Sequence, residues 1–216
     1  MRYKLAIFDM DGTILDTLED LKNATNHALR AHEMPERTLD EVRCFVGNGI
    51  LTLLKRAVPE GTSDAMIQEV FETFKIYYAK HCADCTKPYD GIIELIKKLR
   101  ANGVKTAVVS NKADFAVQEL VKDYFAGCFD AALGECEGIQ RKPAPDMVRK
   151  ILAELNIPPD DAIYIGDSDV DLETAKNSGL PCISVEWGFR SHDFLLEHGA
   201  TTLVRTPEDI LPIFLL

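Results

Sequence analysis

The stretch AIFDMDGT, residues 6–13, decides the fold class of this chain. An apolar run leads into Asp9, and a second acid, Asp11, stands two residues later beside Gly12. A near-continuous apolar run predicts a strand buried on both faces, here over residues 3–8. Because side chains two apart on a strand point the same way, Asp9 and Asp11 are expected to project into one space.

Similar apolar runs recur along the chain and alternate with helical patterns. Strands are predicted at 104–109, 162–165 and 181–185, with a weaker edge strand at 202–204. Helical patterns are predicted at 92–101, 113–122, 146–155 and 169–178. Strands that alternate with helices of this length indicate βαβ units. We therefore expect an α/β fold with a doubly wound, Rossmann-like, mostly parallel sheet.

One region breaks this alternation and reads as a helical insertion. Between 16 and 87 no strand pattern is convincing, and amphipathic helices are predicted at 18–32, 39–45, 50–57 and 63–81. The turn-forming stretch 88–91 marks the return to the α/β pattern. The expected organisation is a catalytic core of 1–15 with 88–216 and a helical cap domain of 16–87.

The net negative charge of the chain disfavours some classes of binding partner. The 216 residues carry a formal net charge of −11, which disfavours nucleic acid and anionic membranes as partners. No signal peptide or membrane-spanning segment is recognisable, so we expect a cytoplasmic protein, either monomer or homodimer. An anionic substrate would need a local cation to offset the field of the protein.

The six cysteines are expected to be reduced in that compartment. Cys82 and Cys85, with His81 beside them, have the spacing of a zinc or redox pair. Because a second ligand pair of matching spacing is missing, plain thiols are the favoured interpretation.

Polar residues follow the predicted strands where each one ends, which is where ligands bind in an open parallel sheet. Asp9 and Asp11 follow the predicted strand 3–8, Ser110 to Lys112 follow 104–109, and residues 166–169 follow 162–165. Carboxylates that cluster repel one another unless a proton or a cation joins them. Mg²⁺ prefers such oxygen ligands and keeps positions for substrate phosphate, so Asp9, Asp11 and Asp167 predict a magnesium site.

The paired acids also suit phosphoryl transfer. A carboxylate can attack phosphorus and form an acyl phosphate, while a second carboxyl protonates the leaving oxygen and later activates water. Asp9 and Asp11 have the spacing for this division of labour. Donors and cations must then surround the phosphoryl oxygens. The predicted phosphate partners are Gly12, Ser110, Asn111 (side chain or backbone amide) and Lys142.

Each of these features has a simpler interpretation when taken alone. Asp and Gly after a strand commonly form a turn. The stretch 166–168 could cap the next helix, with Asp169 and Asp171 suiting its dipole. A calcium loop of the EF-hand type fails, because Ile14 stands at the position that requires glycine. The ordered set of four clusters favours a catalytic site.

That ordered set resembles the haloacid dehalogenase superfamily of phosphotransferases. The four motifs read FDMDGT (8–13), VVSNK (108–112), RKPAP (141–145) and IGDSDVDLETAKNSG (165–179). The resemblance implies that Asp9 is the nucleophile and Asp11 the acid/base, with Thr13 and Asp171 in support. It also implies Mg²⁺ held by Asp9, Asp167 and the backbone carbonyl of Asp11, and a helical cap after the first motif.

Within the superfamily, the chain looks most like phosphoglycolate phosphatases. The resemblance rests on the glycine-rich cap loop Gly47, Asn48 and Gly49, on the SNK motif at 110–112 and on the stretch 187–190. The expected substrate is a small phosphate ester such as 2-phosphoglycolate.

Alternatives stay open. A phosphomutase would be expected to carry histidine where Leu21 stands, and a phosphonate-cleaving member would need a cap lysine such as Lys22 or Lys55. Asp11 argues against a halide-removing member. A receiver-like module phosphorylated on aspartate would have no use for the helical insertion or for Asp11.

Overall fold

The computed structural model describes residues 2–47 and 49–215. The strands within these ranges are β1 (Leu5–Phe8), β2 (Leu15–Asp16), β3 (Lys87–Pro88), β4 (Lys105–Ala113), β5 (Ala131–Glu135), β6 (Ala162–Gly166), β7 (Cys182–Val185) and β8 (Leu203–Val204). The helices are α1 (Leu18–Ala31), α2 (Leu39–Phe45), α3 (Ile50–Ala57), α4 (Asp64–His81), α5 (Ile92–Ala101), α6 (Asp114–Tyr124), α7 (Asp146–Leu155), α8 (Asp169–Ser178), α9 (His192–Glu197) and α10 (Leu211–Leu215).

A six-stranded parallel sheet forms the larger unit of the chain. Its strand order is β5-β4-β1-β6-β7-β8, and β1 pairs in parallel with β4 on one side and β6 on the other. Alternate residues of β1 enter two apolar cores: Ala6 and Phe8 pack on the side of α5, α6 and α10, whereas Leu5 and Ile7 pack on the side of α7 and α8. Both faces are therefore covered, as the apolar run predicts, and the doubly wound α/β class is confirmed.

Two strand predictions need correction. The sequence did not indicate β5, an edge strand whose AALGE sequence lacks the β-branched and aromatic residues typical of strands. In addition, β4 continues to Ala113 with a register shift against β5 after Val109. Ser110, Asn111 and Lys112 consequently lie on the last part of this strand instead of after it.

The sequence also did not predict the two short helices near the carboxyl terminus, α9 and α10. Neither α9 nor α10 is long enough to show a helical period. Ile210 and Phe214 are nevertheless fully buried in the core, as expected for the apolar terminal segment.

The chain divides into two compact units, residues 1–15 with 88–216 and residues 16–87. Helices α1 to α4 belong to the smaller unit, where α1 and α4 pack against each other. Inside this unit the buried carboxylate of Asp20 accepts hydrogen bonds from the backbone amides of Cys85 and Thr86 and from the Thr86 hydroxyl, at 2.7–3.0 Å. These bonds fix the end of the insertion. None of the described helices has both the length and the apolar character needed to cross a bilayer.

Candidate active site

The carboxyl ends of three neighbouring strands bring the predicted polar residues together. Asp9 follows β1, Ser110 lies near the end of β4, and Asp167 follows β6. Because β1 lies between β4 and β6 in a parallel sheet, these ends share one edge. Each of the three side chains is buried or nearly so.

Asp9, Asp167 and Asp171 form a carboxylate cluster. One oxygen from each lies within 4.8 Å of the others, and all three residues are buried. In the described part of the chain this is the one group of three or more His, Cys, Asp or Glu side chains arranged to hold a metal ion. Oxygen ligands at this density suit a hard divalent cation.

Asp9 has one carboxylate oxygen engaged and one oxygen open. Oδ1 accepts a hydrogen bond from the backbone amide of Met10 at 2.7 Å and lies 2.8 Å from Lys142 Nζ. Within residues 2–47 and 49–215 we find no donor to Oδ2. The side chain is therefore held by one oxygen, and the other is available to react.

Lys142 lies at the centre of a buried polar network. Its ammonium is 2.8 Å from Asp171 Oδ1 as well as from Asp9 Oδ1, and it donates to the hydroxyl of Tyr164 at 3.1 Å. That hydroxyl also lies 3.3 Å from Asp171 Oδ1 and from the carbonyl oxygen of Val109. Tyr164 was missed by sequence reasoning, because a tyrosine in the apolar run of β6 reads as core.

Asp171 is engaged through both oxygens. While Oδ1 faces Lys142, Oδ2 accepts from the amides of Asp167 and Ser168 at 3.2 and 3.1 Å and from the Ser168 hydroxyl at 2.7 Å. Ser168 and Asp171 form the capping box of α8. The simpler interpretation of this stretch as a helix cap is thus correct, and the cap itself orients the loop that carries Asp167.

Asp11 is paired with a lysine that the sequence did not single out. Lys112 Nζ lies 3.1 and 3.4 Å from the two oxygens of Asp11, and the lysine side chain is only 3% exposed. The two acids of the first motif therefore form ion pairs with different lysines: Asp9 with Lys142, and Asp11 with Lys112.

Asn111 links two of the motifs through its side chain. Its amide group donates to the carbonyl oxygen of Lys142 at 3.1 Å, and its Oδ1 accepts from the Lys142 backbone amide at 2.8 Å. Of the two options predicted for Asn111, the side chain is thus committed to positioning Lys142. Ser110 is buried, and its Oγ accepts from the Lys112 amide at 3.2 Å.

Gly12 makes room for Asp167. With a φ of +85°, a Cβ at Gly12 would lie 2.4 Å from Asp167 Oδ2, so a side chain there would collide with the carboxylate. The neighbouring hydroxyl of Thr13 donates to Asp167 Oδ1 at 3.3 Å. The first motif thus shapes the position of Asp167 directly.

A loop after β7 supports the same carboxylate from the other side. The amide of Phe189 donates to Asp167 Oδ2 at 2.7 Å, and the indole of Trp187 donates to the carbonyl oxygen of Thr13 at 3.0 Å. A Cβ at Gly188 would lie 2.3 Å from the Cβ of Asp167. The sequence of 187–190 indicates only a family resemblance, whereas the structure shows that this stretch positions Asp167.

Burial and mutual repulsion raise the pKa values of the clustered acids. Burial is the largest cause for Asp9, whose pKa lies well above its usual value with Asp171 and Asp167 adding to the shift. Burial and Asp171 raise the pKa of Asp167 to about 7, against the lowering effect of the Phe189 amide. Burial acts to lower the pKa of Lys142, but Asp171 and Asp9 outweigh it and raise that pKa well above the ordinary value.

The remaining predicted features lie in the smaller unit. Gly47 and Gly49 have φ values of +121° and +79°, which disfavour side chains, and Asn48 lies outside the described residues. Cys82 and Cys85 belong to no metal-binding cluster among the described residues. Desolvation and the charge of Asp20 raise the pKa of the Cys85 thiol, which does not suit a reactive thiolate.

Comparison with known proteins places these features in context. A family model described as haloacid dehalogenase-like hydrolase matches residues 6–185. A phosphoglycolate phosphatase of Aquifex aeolicus is 30% identical over 86% of each chain. An N-acetylmuramic acid 6-phosphate phosphatase of Pseudomonas aeruginosa is 28% identical over 99% of this chain and 95% of the relative. The crystal structure of a candidate phosphoglycolate phosphatase from Lactobacillus delbrueckii subsp. bulgaricus is 44% identical, covers 99% of both chains and superposes with a TM-score of 0.95.

Proposed function

Because the chain belongs to the haloacid dehalogenase-like hydrolases and is a phosphatase of that family, we propose that it hydrolyses a small phosphate monoester, 2-phosphoglycolate foremost, with Mg²⁺ and through a phosphorylated aspartate. The observation that carries this proposal is the state of Asp9. One oxygen is fixed by Lys142 and a backbone amide, and the other is open at the strand end beside Asp167.

The residues present fit a divalent cation. Asp9, Asp11, Asp167 and Asp171 carry four negative charges against the two positive charges of Lys112 and Lys142, a net charge of −2. Burial is the largest cause of the raised pKa values of Asp9 and Asp167, and the charge of Asp171 adds to both shifts.

Asp9, Asp167 and the backbone carbonyl of Asp11 are the ligands we propose, since both oxygens of Asp171 are engaged. When bound, Mg²⁺ supplies the positive charge that keeps these acids ionised and attracts a phosphate dianion.

In the first half-reaction, Asp9 Oδ2 attacks phosphorus while the bond from phosphorus to the ester oxygen breaks. Asp11 donates its proton to that oxygen, and the alcohol leaves. Lys142 holds the attacking carboxylate, and its positive charge together with the Ser110 hydroxyl would stabilise the charge on the phosphoryl oxygens.

In the second half-reaction, water attacks the phosphorus of the aspartyl phosphate. Asp11, now a carboxylate, takes the proton from that water, and the bond from phosphorus to Asp9 breaks. Inorganic phosphate leaves, and both acids return to their starting states. The ion pair with Lys112 suits Asp11 to this role, because it holds the carboxylate in one place without burying it completely.

The substrate is proposed from two kinds of support. The names of relatives include phosphoglycolate and N-acetylmuramic acid 6-phosphate as substrates of those proteins. The unit 16–87 is a helical insertion, as expected of a cap, and we propose that its loop Gly47, Asn48 and Gly49 contributes to substrate choice.

The test is phosphate release from a panel of monoesters that includes 2-phosphoglycolate, N-acetylmuramic acid 6-phosphate and a simple sugar phosphate. Each is assayed with Mg²⁺ and with a chelator, for the unmodified protein, Asp9→Asn and the matched control Asp123→Asn. Asp123 is an exposed acid near the end of α6, so its loss of charge leaves the site intact.

We expect Mg²⁺-dependent release that is strongest for 2-phosphoglycolate, is abolished by Asp9→Asn and is unchanged by Asp123→Asn. Preference for another ester would refute 2-phosphoglycolate as the substrate but would leave the proposed phosphatase reaction standing. Isomerised sugar phosphate without phosphate release would indicate a mutase instead. A phosphorylated protein that persists for many minutes would indicate a receiver-like module.

A further inference from the structure

Lys112 is a buried cation that holds Asp11 in place in the two half-reactions above but contacts no reacting atom there. It lies at the carboxyl end of β4, with its ammonium 3.1 and 3.4 Å from the oxygens of Asp11. Its side chain is 3% exposed, and that of Asp11 is 19% exposed. Holding a lysine out of water in this way is costly, so its charge is expected to serve the site.

Lys142 and Lys112 contact different acids of the site. Lys142 contacts Asp9 and Asp171, on the side of the nucleophile. Lys112 contacts Asp11, which in the proposed function protonates the ester oxygen. A positive charge beside the proton donor lies on the side of the leaving group and not on that of the transferred phosphoryl group.

Charge balance explains why a leaving group would need that cation. With Mg²⁺ bound, the four acids and the two lysines sum to no net charge, so a phosphate dianion brings two uncompensated negative charges and an added carboxylate brings a third. A carboxylate on the carbon next to the ester oxygen has an oxygen about 3 Å from that ester oxygen, by ordinary bond lengths. It therefore comes within reach of an ammonium that is hydrogen-bonded to the proton donor.

We propose that Lys112 is a specificity-determining residue that receives the carboxylate of 2-phospho-acids, the esters in which the carbon bearing the phosphate also bears a carboxylate. This inference rests on the proposed function and narrows its substrate class. A charge-assisted hydrogen bond in a buried site discriminates against a neutral analogue by roughly tenfold to a hundredfold.

The experiment compares 2-phosphoglycolate with 2-phosphoglycolamide, the carboxamide of the same size without the charge. kcat and KM are measured for both esters with the unmodified protein, Lys112→Met, Lys112→Arg and the control Lys122→Met. Lys122 is an exposed lysine of α6. Circular dichroism melting shows whether each variant folds.

The unmodified protein is expected to prefer the carboxylate by at least about tenfold in kcat/KM. Lys112→Met removes that preference mainly by raising KM for 2-phosphoglycolate, and its KM for the carboxamide changes little. Lys112→Arg keeps the positive charge and should retain a preference for 2-phosphoglycolate, so it tests the inference even if Lys112→Met folds poorly. Lys122→Met should behave as the unmodified protein.

Equal losses on both esters, confined to kcat, would overturn the inference and make Lys112 a positioning residue for Asp11. Equal use of both esters by the unmodified protein would overturn the inference alone. Failure of the unmodified protein to hydrolyse either ester or any other monoester would refute the proposed function and the inference with it.

Discussion

Replacing Asp167 by asparagine should make the metal-free protein more stable. The carboxylate is 1% exposed, and burial together with Asp171 raises its pKa to about 7 from an ordinary value of 3.8. A shift of about 3 units corresponds to roughly 4 kcal/mol of destabilisation once the group is ionised in the native state. Asparagine removes the charge but keeps one oxygen to accept from Thr13 or Phe189. After about 1–2 kcal/mol for the hydrogen bond that is lost, the net gain near pH 8 is about 2 kcal/mol.

The direction of the pH dependence follows from proton binding. Between the unfolded pKa near 4 and the folded pKa of about 7, native Asp167 holds a proton that the unfolded chain has released. The free energy of unfolding of the unmodified protein therefore falls as pH rises through this window. As pH falls through this window the advantage of Asp167→Asn shrinks, and near pH 5 the hydrogen bond that is lost offsets what remains of it.

The assay is denaturation by urea in chelator near pH 8 and near pH 5, followed by repetition with saturating Mg²⁺. Asp167→Asn should have the higher midpoint near pH 8 only, and Mg²⁺ should stabilise the unmodified protein much more than the variant. Asp123→Asn controls for loss of an exposed acid. A variant that is less stable than the unmodified protein in chelator near pH 8, or a difference that does not change with pH, would refute the reasoning.

Two further predictions concern residues that hold the site together. Tyr164→Phe removes the hydroxyl that contacts Lys142 at 3.1 Å; we expect a loss of about 1–2 kcal/mol of stability and a fall in kcat/KM of up to about tenfold, and unchanged urea denaturation would contradict this. Gly188→Ala places a Cβ 2.3 Å from that of Asp167; calorimetric Mg²⁺ titration should show at least about tenfold weaker binding. The control Gly199→Ala adds backbone strain, at a φ of +91°, but its Cβ meets nothing within 4 Å; it should bind Mg²⁺ normally, and equal affinities for both variants would count against the positioning role.

The fold was predictable from the sequence where periodicity is strong. The buried runs of β1 and β6 and the amphipathic helices α5, α7 and α8 have local signals that tertiary packing reinforces. By contrast, β5 is an edge strand rich in alanine, and its pairing with β4 depends on a partner distant in sequence. No local pattern identifies such a strand.

The candidate site was predictable in its acids and less so in the residues that support them. Acids at strand ends are conspicuous in a sequence, because the rule on parallel sheets says where to look. Tyr164 contacts Asp171, 7 positions away, Lys112 contacts Asp11, 101 positions away, and Gly188 lies against Asp167. No local pattern in the sequence marks these contacts, so only the folded structure reveals their partners.

The central claim is that Asp9 carries the phosphoryl group, and trapping that intermediate tests it most directly. Para-nitrophenyl phosphate with a radiolabelled phosphoryl group needs little help in losing its alcohol, so Asp11→Asn should complete the first half-reaction and stall before the second. Acid quenching followed by peptide mapping should then find base-labile label on Asp9, and Asp9→Asn should capture none. Label on another residue, or capture that survives Asp9→Asn, would contradict the account.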